Sequence, residues 1–156
     1  MRGHRSTTGC QYARLVLEGA EFDYHGALVV VESGDDEIVL IHPAGGTSSA
    51  PASLPSNPCA PGEDPDVGAV RMVREMTGLE VEILREHVTF IQPGTPTGTM
   101  CAHGYVARVV GGTQLDVGPE GPVRVYPVDQ LPALIPIRVA NQRTLDAYLE
   151  QRRHYA

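Results

Sequence analysis

The stretch GEDPDVGAVRMVREMTGLEV, residues 62–81, decides the fold, because it carries the punctuation of a helix at both ends. Asp64 is placed as an N-cap, Pro65 as the first helical residue and Asp66 as negative charge in the first turn, where the macrodipole favours it. Gly78 closes the segment as a C-cap. Between them Ala69, Val70, Val73 and Thr77 recur at helical spacing and give a face that packs on a sheet. Met72, Glu75 and Met76 are spaced i, i+3, i+4 and share another face.

On either side of this helix the pattern changes to that of strands. YARLVL (12–17) and HGALVVVE (25–32) are rich in β-branched residues and bounded by Gly and acidic turns. Ser33-Gly34-Asp35-Asp36 is a turn signal, and EIVLIH (37–42) after it completes a hairpin. Residues 43–62, PAGGTSSAPASLPSNPCAPG, show no periodicity and read as a long irregular loop of the kind that is often functional. Beyond the helix, VEILREHVTFIQ (81–92) and TMCAHGYVARVV (99–110) read as strands around PGTPTG, and RVYPV (124–128) as a short strand. A final amphipathic helix is expected over about 137–152, with Leu145, Tyr148 and Leu149 on one face. Strands, one central helix, more strands and a last helix predict an α/β sandwich with a mixed sheet.

Bulk properties narrow the functional classes. A chain of 156 residues predicts one domain, residues 1–156, and 42% hydrophobic with 20% charged residues is ordinary for a soluble globular protein. The formal net charge of −7 argues against nucleic acid or an anionic membrane as the main partner, while leaving room for a small phosphorylated ligand. Cys10, Cys59 and Cys101 form no CxxC pair, which fits a reducing cytoplasm better than a disulfide framework or a zinc site. The basic N-terminus MRGHRSTTGC is not followed by the apolar run of a signal peptide, and ALVVV (27–31) is too short to cross a bilayer. A soluble cytoplasmic protein is expected.

These residues resemble the Nudix family, hydrolases of nucleoside diphosphates linked to another moiety. The family box reads glycine, five residues, glutamate, seven residues, Arg-Glu, an aliphatic, any residue, Glu-Glu, any residue, glycine, aliphatic. Aligned without gaps, Glu63 takes the first glutamate, Arg71 the arginine, Val73 the aliphatic, Glu75 the first paired glutamate, and Gly78-Leu79 the ending. Asn57 stands at the opening glycine, and Met72 and Met76 stand at the other two glutamates. SLP (53–55) falls where the family's Leu-Pro-Gly-Gly run begins, with Ser56 and Asn57 in place of its glycines, and VRVYPVDQLPALI (123–135) resembles the closing strand and short helix. The likeness spans about residues 24–150.

The resemblance implies a Nudix-like α/β/α sandwich and a pyrophosphohydrolase using magnesium or manganese on a small phosphorylated substrate. A homodimer is a family-level expectation. In the family the glutamates of this helix face hold divalent cations, so one carboxylate between two thioethers makes a weakened site. Glu63 and Glu75 are the expected metal ligands, Glu75 and Glu120 the expected catalytic carboxylates, and Arg71 an orienting partner. Met72 and Met76 are expected to line core or pocket. Each carboxylate also has a purely structural reading: Glu63 favouring the helix start, Glu75 pairing with Arg71 at i, i+4, and Glu120 as a solvated loop residue. The alternative for the whole chain is a ligand-binding module or metal-free enzyme on the same fold.

His25, His42, His87 and His103 show no ligand spacing and read as strand residues without chemistry. Cys59 lacks a nameable base for thiol catalysis. Tyr12, Phe22, Tyr24, Phe90 and Tyr105 are candidates to stack a planar group, and the loop 43–62 and turn 93–98 are the segments able to shape a pocket.

Overall fold

A computed structural model describes residues 21–45 and 50–155, so the expected strand at 12–17, with Tyr12 and Cys10, lies outside the described residues. The elements run β1 (Tyr24–Gly34), β2 (Glu37–Ile41), β3 (Ser56–Pro58), α1 (Pro65–Thr77), β4 (Leu79–Thr95), β5 (Gly98–Gly112), β6 (Val117–Gly118), β7 (Gly121–Pro127) and α2 (Val139–Tyr155). The strands form one sheet in the order β4-β5-β1-β2-β7-β6, with β3 added to β1. β1 and β5 run parallel, from Tyr24 opposite Met100 to Glu32 opposite Arg108, and the other pairings are antiparallel.

Period-two alternation distributes the core over two layers. From β1, Ala27, Val29 and Val31 face α1 and join Val39, Ile41, Ala69, Met72, Val73, Met76 and Tyr105. Val30 points the other way with Ile38, Leu40 and Val106, meeting Leu145 and Tyr148 of α2. A strand covered on both faces has no polar side, which is why ALVVV reads as an unbroken apolar run. A helix on each face of a mixed sheet is the α/β/α sandwich the sequence predicts.

The ends of α1 fall where its punctuation places them. Asp64 is extended at φ −65° and ψ 138°, Pro65 opens the helix, and Gly78 closes it at φ 80° with its N–H donating to the carbonyl of Arg74. At the Asp64 N-cap no side-chain capping bond forms. β4 and β5 are longer than their sequence signals, because bulges at Glu80/Val81, Ile83/Arg85, Glu86/Val88 and Gln92/Thr95 let pairing continue where strict alternation fails.

The segment 43–62 corrects the expectation of a wholly irregular loop. Ala52, Ser53, Leu54 and Pro55 are buried. Buried backbone must find partners. Ile41 and Ser53 exchange hydrogen bonds at 2.9 and 2.8 Å, while Ala52 donates to Ala133 and accepts from Ile135, both at 2.9 Å. β3 then pairs with β1 through Leu28 and Ser56. Isolated bridges, Ile41 to Ser53 and Ala52 to Leu134, in a stretch broken by Pro and Gly leave no period to read. Among the described residues no helix is long and apolar enough to cross a membrane.

Candidate functional site

The carboxylates expected on α1 gather around one arginine. Arg71 Nε donates to Glu63 Oε2 at 2.8 Å and Nη2 to Glu63 Oε1 at 2.9 Å, a bidentate pair, while Nη1 donates to Glu75 Oε1 at 2.8 Å. The N–H of Ala60 adds a bond to Glu63 Oε1 at 2.9 Å. The bond from Arg71 holds the Glu63 carboxyl below its usual range, and the same contact raises the guanidinium further above its own. Glu75 lies at the outer edge of this ladder with its side chain 58% exposed.

The two thioethers lie inward. Met72 is 1% and Met76 8% exposed, both in the core between α1 and the sheet. Met72 is therefore packing. Met76 also borders a small recess with His42, Leu54, Glu120 and Arg138.

That recess adjoins a cleft of about 570 Å³, within the range of small-molecule sites. Tyr24 and the turn Pro93–Pro96 line one part, Ser56 and Asn57 of β3 another, and Arg138 with Asn141 from α2 and its approach a third. Glu120 lines both the cleft and the recess. It sits in the turn between β6 and β7, flanked by two close backbone approaches. A Cβ at Gly118 would overlap the carbonyl oxygen of Met76, and one at Gly121 would overlap that of His42.

The structure thus brings Glu63, Arg71 and Glu75 together and sets Glu120 in the cleft. Of the aromatic candidates, Tyr24 lines the cleft, Phe90 and Tyr105 are buried at 3% and 2%, and Phe22 lies against His25. Sequence reading missed Arg138 and Asn141. Arg138 supplies positive charge to the cleft wall, donating at 3.2 Å to Ser53 Oγ. Asn141 accepts from the N–H of Leu54 at 2.8 Å. The signal available was a basic residue just before the final helix, in PIRVANQR, which has no periodic partner.

The donor set does not fit a cluster of hard cations held by α1. Two of the four aligned glutamate positions carry buried thioethers, poor ligands for magnesium, and the two remaining carboxylates, Glu63 and Glu75, are engaged by Arg71. Among the described residues, the group of potential ligand atoms close enough to share a metal ion lies elsewhere, at His25, Cys101 and His103.

Comparison with known proteins agrees with this architecture. The family model of the NUDIX domain matches residues 24–148, and the chain belongs to the Nudix family. Among solved structures, a NUDIX hydrolase from Nitrosomonas europaea is 18% identical, with a TM-score of 0.61, covering 82% of this chain and 89% of that one. An ADP-ribose pyrophosphatase from Streptococcus suis 89-1591 is 20% identical, with a TM-score of 0.62 and coverage of 83% and 92%. A UDP-X diphosphatase is 16% identical, with a TM-score of 0.65 and coverage of 94% and 74%. At these identities the likeness shows the shared fold. Comparison with curated proteins finds no match.

Proposed function

We propose that this chain is a divergent Nudix pyrophosphohydrolase acting on a nucleoside diphosphate linked to another moiety, or a related organic pyrophosphate, in the 570 Å³ cleft. The observation that carries the reading is Glu120, a carboxylate on the wall of a cleft that Arg138 and Asn141 also line, with Arg138 sharing the adjoining recess. Arg138 would neutralise phosphate charge, and the amide of Asn141 with the hydroxyl of Ser56 would orient phosphate oxygens. Tyr24 and the 93–96 turn would enclose the other moiety. Glu120 would accept a proton from the attacking water, a role worth roughly 100- to 10,000-fold in rate. Family chemistry draws on divalent cations, but Glu63 and Glu75 would have to release Arg71 to hold magnesium or manganese, so turnover is expected to be slow.

A second reading is favoured by Met72 and Met76: the fold retains its cleft as a ligand-binding site and has lost hydrolysis. One experiment separates them. Purified protein is incubated with ADP-ribose and a panel of nucleotide sugars, with and without manganese, beside Glu120→Gln and Arg138→Met, and nucleoside monophosphate release is followed. Slow release that falls about 100-fold in Glu120→Gln supports hydrolysis at this cleft. Release unchanged in both variants removes the cleft from the mechanism. Binding without release, weakened in Arg138→Met, establishes the second reading.

A further inference from the structure

Two histidines and a cysteine far apart in sequence converge on the α1 face of the sheet. His103 and Cys101 are two residues apart on β5, so their side chains share a face. Parallel pairing sets His25 of β1 directly opposite Cys101. His25 Nδ1 lies 2.8 Å from His103 Nε2, Cys101 Sγ lies 3.6 Å from the same nitrogen, and the three donor atoms fall within 4.8 Å of one another. We propose that His25, Cys101 and His103 form a zinc site joining the starts of β1 and β5.

The geometry is close to what zinc needs. Tetrahedral ligation at bond lengths of about 2.0–2.1 Å to nitrogen and about 2.3 Å to sulfur separates two nitrogens by about 3.3 Å and nitrogen from sulfur by about 3.6 Å. The Cys101–His103 spacing already matches, and the two imidazoles need to part by about 0.5 Å. One thiolate with two imidazoles is a donor set for zinc rather than magnesium.

The surroundings are those of a supported metal ligand. His103 is fully buried, and its second nitrogen, Nδ1, lies 3.0 Å from Glu86 Oε2. If Nδ1–H donates to that carboxylate, the lone pair of Nε2 faces His25 and Cys101; this carboxylate–histidine arrangement orients metal-bound imidazoles generally. Glu86 is itself fixed by the hydroxyl of Thr89, while its other oxygen is buried without a hydrogen-bond partner among the described residues. Charge of opposite sign beside that carboxylate would offset its desolvation. His25 is partly exposed and meets Phe22 edge-on at 4.9 Å; a set of three protein ligands would leave the fourth tetrahedral position to water.

This site is separate from the cleft, and its test does not depend on any hydrolysis. Metal-free full-length chain is titrated with zinc against a chromophoric chelator, and cobalt is substituted to read thiolate ligation by its near-ultraviolet charge-transfer band. The expected result is one zinc per chain, a cobalt–thiolate band, and affinity at least about 10-fold weaker in His25→Gln and Cys101→Ser. Cys59→Ala, in the same chain, should leave both unchanged. His25→Gln changes a partly exposed residue, so the test survives if Cys101→Ser fails to fold. Absence of stoichiometric zinc, or zinc binding of equal strength in His25→Gln and Cys101→Ser, overturns the proposal.

Discussion

Asn141, in the first turn of α2, accepts a hydrogen bond from the backbone N–H of Leu54 at 2.8 Å, and the hydroxyl of Ser53 reaches the same oxygen at 3.1 Å. One buried side chain therefore ties the segment before β3 to the final helix. Asn141→Ala should leave the Leu54 amide without a partner and cost about 1–3 kcal/mol. Asn141→Asp keeps the acceptor and should cost less. Urea unfolding of the three proteins measures this, and equal losses for Ala and Asp would show that the acceptor oxygen is not what matters.

Met72 is enclosed between α1 and the sheet, so restoring the family glutamate there should not restore a metal site. Met72→Glu is expected to destabilise by on the order of 3 kcal/mol, since the carboxyl must be buried charged or take up a proton. Met76→Glu, at the edge of the recess, should cost less. Chemical denaturation ranks the two, and the prediction is wrong if position 76 proves the more sensitive.

Glu63 gives stability a dependence on acid. Its carboxyl is held below the ordinary value of 4.5 chiefly by the Arg71 bond. A group with a depressed folded value contributes stability above its unfolded value and loses it as pH falls through the folded one. Stability should therefore decline below about pH 4.5 through this group, and Arg71→Gln should flatten that limb. Melting temperatures from pH 6 to 3 for both proteins provide the comparison. At neutral pH the partly exposed pair should account for only about 1 kcal/mol.

His87 acts in a higher window. Burial lowers its imidazole below 6.5, and Nε2–H donates to the carbonyl of Thr144 at 3.0 Å. The unfolded chain takes up a proton first as pH drops through 6.5, so stability should fall from there toward the lowered folded value. His25, lowered to about 4 by burial and by His103, adds a slope of the same sign. His87→Gln should reduce the slope between pH 7 and 5 without abolishing it. Denaturation at pH 7, 6 and 5 tests this, with an unchanged slope as the contrary outcome.

The helix was legible because its information is local: Asp64, Pro65 and Gly78 mark its ends within a single window. The paired strands were legible from β-branched runs, although bulges extended β4 and β5 past the alternation that signals them. The candidate site was less so. Spacing places Glu63, Arg71 and Glu75 near one another, but Glu120, Arg138 and Asn141 meet through chain reversals with no sequence period. His25, Cys101 and His103 escaped because their grouping needs the parallel register of β1 and β5, which joins positions 76 apart. A Cys-x-His step on one strand was the available half of that signal.

The two glycines flanking the β6–β7 turn have a consequence for engineering. Close backbone packing at Gly118 and Gly121 fixes the path of the chain on both sides of residue 120 without help from its own side chain. The exposed position between them is thus a mount whose location does not depend on what it carries. Acids of different reach, an amide, an imidazole or an amine placed there would sample different chemistries at nearly the same point in space, making this turn the natural place to redirect the cleft.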